Sequence, residues 1–199
     1  MSPAAVVRTV LADYLRSQLE TRWPEVSVRG EWPDPGDPLP ERVVAVLQAG
    51  PPTVTQHPPV IHETIPGTCP NGVVKYCWGW AELPLQLEAW ARYQTHRDEL
   101  AGAVADALQR SVRDTLGLTS VPHFRRASGL VLRADDLGAL CDFRFSPLPE
   151  TPEASGAAQA GEWRATWDGT ARFPLLDEQT AVLIKTIRLS VDDDETAIT

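Results

Sequence analysis

The chain has 199 residues, enough for one sizeable domain with a buried core. Its formal net charge of −9 argues against a protein that grips nucleic acid with its whole surface, because such binding needs a basic face. The 18 prolines indicate rigid connections, and the 3 cysteines leave an odd thiol, which favours a reducing compartment. No stretch approaches the length of a membrane span, so we expect a soluble chain made in the cytoplasm.

A helix is predicted at the N-terminus. Ser2 and Pro3 are typical of an N-cap and a first helical residue, and apolar residues follow at helical spacing up to about Arg22. Pro24 then ends the helix, because proline cannot continue the backbone hydrogen-bond ladder.

Strands are predicted from alternating, β-branched or aromatic runs. They cover residues 26–30, 42–49, 73–80, 83–90, 129–134, 140–145, 163–167, 170–173 and 181–191. Two proline-rich stretches between them, 31–41 and 50–70, are predicted to be exposed loops, the second with room for a short strand from Val60 to Ile65. Asp168 and Gly169 have the sequence of a two-residue turn and predict a hairpin between the strands on either side.

The stretch from Leu83 to Leu118 has the clearest sequence signals and is predicted to be one strand followed by one long helix. Its first part alternates as a half-buried strand does, and its second part has one apolar helical face. Thr95 is the predicted N-cap of this long helix, and Gly117 is the predicted stop.

These elements predict a single α+β domain over residues 1–191. Its core is a mainly antiparallel sheet with two main helices packed on one face, and long proline-rich loops project from it. Residues 147–161 are rich in Pro, Ala, Gly and Glu without periodicity and predict a flexible insertion, and residues 192–199 an acidic tail.

The sequence contains no recognisable catalytic motif. The sequence has no phosphate-binding loop, nucleophile elbow or dinucleotide fingerprint, so we expect neither an enzyme nor a cofactor. Four residues have the donor types of a zinc site but not its ligand spacing, namely His57, His62, Cys69 and Cys77. A disulfide between Cys69 and Cys77 is left as an alternative. The alternative function is a monomeric cytoplasmic protein-binding module, or a small metal-dependent enzyme that uses three carboxylates. These are Asp135, Asp136 and Asp142.

The seven tryptophans indicate a surface for protein contacts as well as a core. Strand alternation places some of them on opposite sheet faces, so they cannot all share one small core. We therefore expect an interface formed by proline-rich loops and the late hairpin. The candidate interface residues are Trp32, Pro33, Asp34, Pro35, Pro58, Pro59, Trp163 and Trp167.

The order of elements resembles the tail terminator and tail-completion proteins of long-tailed bacteriophages. Residues 83–91 match a strand of the form apolar-x-apolar-x-apolar-x-x-Trp-Ala. Residues 97–108 match a helix of the form Arg-x-Glu-Leu-x-x-x-Val-x-x-Ala-Leu. The similarity covers about the first two thirds of the chain.

The resemblance implies a structural virion protein without enzymatic activity. It implies a ring, typically a hexamer, that caps the tail tube and joins it to the head-neck connector. The implied partners are other copies of the chain, the tail-tube protein and the neck proteins, with DNA passing through the lumen without specific binding and no membrane contact. The implied location is the tail or neck of the virion, after assembly in the host cytoplasm.

Overall fold

The computed structural model describes residues 2–31, 40–66, 71–109, 130–148 and 163–182. The elements in chain order are α1 Pro3–Leu19, β1 Ser27–Arg29, β2 Arg42–Gln48, β3 Thr53–Pro66, β4 Asn71–Ala91, α2 Gln94–Leu108, β5 Leu130–Ala134, a 3₁₀ turn Asp135–Leu137, β6 Ala139–Pro147 and β7 Trp163–Val182. The predicted insertion, apart from its first two residues, the acidic tail and most of the last predicted strand lie outside the described residues.

The described strands form one seven-stranded sheet in the order β1-β2-β4-β7-β6-β5, with β3 also paired to β4. Only β1 and β2 run parallel, and every other pair is antiparallel. Helix α1 contacts β1 and β2 at one end of this order and β5 at the other, so the sheet curls around the helix. Helix α2 packs against β4, β7 and α1. The fold is α+β with a mainly antiparallel sheet, as predicted.

Helix α1 begins as the sequence predicts. Ser2 is its N-cap, and the backbone N–H of Ala5 donates to Ser2 Oγ at 3.3 Å. Its buried face includes Val7, Leu11 and Leu15, which recur at four-residue spacing. Neither described helix is long and apolar enough to span a membrane.

Helix α2 differs from its prediction at the N-terminus. The helix begins at Gln94 with Tyr93 as N-cap, and no side chain caps it there. Thr95 therefore lies in the first turn, and its prediction as N-cap is wrong. The buried residues Leu100, Val104 and Ala107 confirm the predicted apolar face. The predicted end at Gly117 lies outside the described residues.

The longest strand, β4, is the centre of the sheet. Leu83, Leu85, Leu87 and Ala89 are buried in the core, which confirms the predicted alternation. One edge of β4 pairs with β7 from Asn71 to Ala91, and the other edge is shared by β3 and β2. The two strands predicted on either side of residue 82 are thus one strand of 21 residues.

The prediction that residues 50–70 form a loop is wrong for residues 53–59, and the short strand allowed from Val60 to Ile65 is confirmed as part of a longer one. Residues 53–66 form β3, which pairs with β4 and bulges between Gln56 and Val60. Pro58 and Pro59 occupy the bulge. Proline lacks the N–H that a ladder needs, but an edge strand and a bulge both tolerate that loss.

The predicted hairpin at Asp168 and Gly169 is also wrong. Strand β7 continues through both residues for 20 residues in all. Gly169 pairs with Leu85 on one side and with Phe145 on the other. A Cβ added at Gly169 would collide with the Phe145 ring and would lie 2.6 Å from the carbonyl oxygen of Arg144. The glycine therefore permits close strand packing and does not form a turn.

Candidate assembly surface

The most unusual exposed surface is formed by residues 53–62 of β3, which we call the β3 edge. Among the residues that the structure describes, β3 has a strand partner on one side only, β4. Val54, Val60 and Ile61 are 47%, 53% and 65% exposed. Exposed apolar side chains on an open strand edge are a template for pairing with another chain.

The β3 edge also carries no Asp, Glu, Lys or Arg. The uncharged stretch in fact runs from Val43 to His62, in a chain that has 45 charged residues among its 199. Soluble proteins commonly protect open strand edges with charged side chains, lysine above all. The β3 edge lacks that protection and is therefore the candidate site of assembly.

Two tryptophans on the outer face of the sheet are each covered by an arginine. The Arg172 guanidinium lies 4.7 Å from the centre of the Trp80 ring, and that of Arg164 lies 5.5 Å from the centre of Trp90. Such cation–π contacts occupy the ring faces that a partner would otherwise use. The outer tryptophans therefore form part of this chain's own packing.

Glu88 is a buried carboxylate beside one of these contacts. It is 2% exposed, accepts a hydrogen bond from Trp90 Nε1 at 2.9 Å and lies 3.7 Å from the Arg164 guanidinium. Burial raises the pKa of Glu88 above its usual 4.5, because it penalises the charged form, while Arg164 and the Trp90 hydrogen bond act in the opposite direction.

This raised pKa predicts a pH dependence of stability. A raised carboxyl pKa means that the folded state binds the proton more tightly, so stability falls as pH rises from 4.5 through the folded-state pKa. The Glu88→Gln variant should lack this fall in the free energy of unfolding. For one titrating group, the slope of that free energy against pH cannot exceed about 1.4 kcal/mol per pH unit. Urea unfolding of both proteins across this range measures the difference, and parallel profiles would contradict the prediction.

The three carboxylates of the alternative function are not brought together as a metal site. Asp135 pairs with Arg133 at 2.9 Å, and Asp142 pairs with Arg144 at 2.9 Å. Within the described residues, no three His, Cys, Asp or Glu side chains are grouped closely enough to hold a metal ion. The geometry gives the metal-dependent enzyme no support.

Two of the four residues weighed as zinc ligands do meet. His57 Nε2 lies 3.8 Å from Cys77 Sγ, and the Cys77 thiol donates to the carbonyl oxygen of Gly79 at 3.2 Å. Cys77 is a free thiol and only 2% exposed. His62 is exposed on the β3 edge, and Cys69 lies outside the described residues.

Comparison with solved structures finds similarity to a terminator. The PVC sheath/tube terminator of an extracellular contractile injection system, determined by cryo-electron microscopy in its extended state, matches with a TM-score of 0.42 and 11% sequence identity. The match covers 100% of this chain and 66% of the terminator's length. This match and the predicted resemblance name the same class of protein. At this TM-score, residue roles cannot be transferred between the two proteins. No protein-family model and no curated protein matches the sequence.

The predicted interface residues fall into three groups. Pro58 and Pro59 are exposed in the bulge of the β3 edge. Trp163 is half-buried with its ring centre 5.9 Å from the Arg97 guanidinium, and Trp167 is buried in the core. The remaining four lie outside the described residues, namely Trp32, Pro33, Asp34 and Pro35.

Sequence reasoning missed the apolar residues of the β3 edge. Val54, Val60 and Ile61 lie in a stretch predicted as a contact loop with room for a short strand, but the candidate interface residues predicted there are Pro58 and Pro59 alone. The signal that could have identified them is the run of twenty uncharged residues from Val43 to His62. Its length is unusual in a chain with 23% charged residues.

Proposed function

We propose that this chain is a structural component of a bacteriophage tail or a tail-like particle and acts as a tail terminator. The observation that carries the proposal is the uncharged, apolar β3 edge, which fits a protein that functions in an assembly. The resemblance of residues 83–108 to tail terminators supports the same role. In this role the chain performs no chemistry.

The proposed assembly is a ring, typically of six copies, that caps the tail tube and joins it to the head-neck connector. Six copies would carry a charge of about −54. A lumen lined by part of that charge would repel DNA and let it pass without adhering. The ring would reside in the tail or neck of the virion, after assembly in the host cytoplasm.

Tube growth tests this function. The tail-tube protein of the same particle is allowed to polymerise with and without this chain, and tube lengths are measured by electron microscopy. We expect short tubes with this chain at one end. An equally acidic unrelated protein at the same concentration is the control. Unchanged tube lengths, with this chain left in the supernatant when tubes are sedimented, would contradict the proposal.

The proline-rich connector is proposed as a further contact region. Removing residues 33–39, which include three of the proposed interface residues, should weaken assembly and leave the thermal unfolding of the dissociated subunit within a few degrees of the parent. Light scattering and calorimetry on the same samples measure the two quantities. Loss of folding would show that the connector supports the domain and is not a contact.

A further inference from the structure

We propose that the β3 edge pairs with an extended segment of a second copy of this chain, so that the sheet continues from one subunit into the next. The proposal rests on the proposed function only in taking the chain to assemble with copies of itself. It adds the element that makes the contact and the kind of contact, which is backbone hydrogen bonding along a strand.

The edge at β1 is closed by arginines of α1. The Arg16 guanidinium donates to the carbonyl oxygen of Val28 at 2.9 Å, and the Arg8 guanidinium donates to that of Gly30 at 3.0 Å. Two backbone acceptors at this end of the sheet are therefore satisfied within the chain. The two charged side chains also discourage an incoming strand, because pairing would require their displacement and desolvation.

The edge at β5 is protected in a different way. Helix α1 packs against β5, and the exposed Arg133 side chain projects from the strand with Asp135 as its partner. An incoming strand would meet both the helix and a charged pair. The two ends of the sheet thus carry the charged guards that keep strand edges from pairing.

The β3 edge has no charged guard among the described residues. Its own guard is the bulge at Pro58 and Pro59, and the strand is open to pairing on either side of that bulge. Gly79 lets β3 approach β4 closely. A Cβ at Gly79 would lie 2.6 Å from the carbonyl oxygen of Thr55. On a paired strand, alternate residues direct their N–H and C=O groups away from the partner, so the outer side of β3 offers about half its residues for pairing. The bulge at Pro58 and Pro59 divides these residues into two short ladders.

The charge distribution favours the β3 edge as the place where a second copy docks. Each copy carries −9, so two copies repel each other over most of their surfaces. The β3 edge has no formal charge from Thr53 to His62, so like copies can approach there without placing carboxylates against each other. Apolar contacts at Val60 and Ile61 then add to the backbone pairing.

Charged substitutions test the proposal. Val54→Lys and Ile61→Lys, made together, should raise the concentration at which the protein assembles by at least about tenfold, because lysine at a strand edge opposes pairing. Leu140→Lys is the matched control, since Leu140 on β6 is 47% exposed, as Val54 is. It should leave assembly unchanged. Light scattering over a dilution series measures the concentration at which half of each protein is assembled. Circular dichroism of the dissociated proteins checks that all are folded.

Hydrogen exchange separates backbone pairing from side-chain contact. Amides at residues 53–62 should exchange at least about tenfold more slowly in the assembled wild-type protein than in the diluted protein. An assembly that survives the double substitution, with unchanged exchange in β3, would overturn this inference and leave the proposed function standing. A protein that stays monomeric at every concentration and with tube protein would overturn both.

Discussion

Replacing Leu87 by alanine should lower the free energy of unfolding by about 3 to 4 kcal/mol. Leu87 is fully buried near the C-terminal end of β4, between Val46 of β2 and Trp167 of β7. Truncation removes the transfer free energy of the lost carbons and leaves a cavity that the two flanking strands cannot close. Urea unfolding measures this loss of stability, and the slope of the free energy against urea concentration should be the same in both proteins.

The control for Leu87 is its neighbour Gln86. Gln86 is half-buried and lies on the other face of β4, so Gln86→Ala should change the free energy of unfolding by no more than about 0.5 kcal/mol. A loss below about 1 kcal/mol in Leu87→Ala would show that Leu87 does not lie in a closely packed core.

Replacing Gly169 by alanine should cost about 2 to 3 kcal/mol, although the change adds one methyl group. The new Cβ would meet the Phe145 ring and the backbone of Arg144, and only the ring is free to rotate away. The ladder between β6 and β7 must therefore shift. Thermal unfolding should show a fall of several degrees in Tm.

Gly102→Ala is the matched control for this glycine. Gly102 lies within α2, and a Cβ there would meet no atom within 4 Å. Alanine is the better helix former, so this variant should gain up to about 1 kcal/mol. Gly169→Asn adds a further discrimination, because a type I′ turn accepts asparagine whereas the observed strand pairing does not. Wild-type stability in Gly169→Asn would contradict the continuous β7.

The elements predicted correctly are those whose signals are local and periodic. The alternation of Leu83, Leu85 and Leu87 and the N-cap at Ser2 depend on neighbouring residues alone, and the structure reproduces both. Periodicity indicates which face is buried, whatever the tertiary partner.

The wrong predictions concern residues whose conformation depends on distant partners. The turn signal at Asp168 and Gly169 is overridden by pairing with β4 and β6, which holds the backbone extended on both sides. The prolines of β3 argued for a loop, but β3 lies at an edge, where a missing N–H is tolerated. Neither outcome could be deduced without the strand order.

The candidate surface was predictable only in part. The predicted interface residues Pro58 and Pro59 lie in the candidate segment, because exposed prolines indicate the surface. The stretch is predicted to be exposed, but the position of Val60 and Ile61 on an open strand edge could not be predicted, since it depends on whether a further strand pairs there. The absence of charge from Val43 to His62 is visible in the sequence, but it identifies an interface only once β3 is known to be an edge.

The mass of the purified protein, measured by light scattering over a wide concentration series, tests the central claim most directly. We expect a ring-sized oligomer, or a monomer that becomes ring-sized when tail-tube protein is added. The subunit mass is 21.8 kDa, so six copies would weigh about 131 kDa. A strict monomer at every concentration, unaffected by tube protein, would contradict the assembly role.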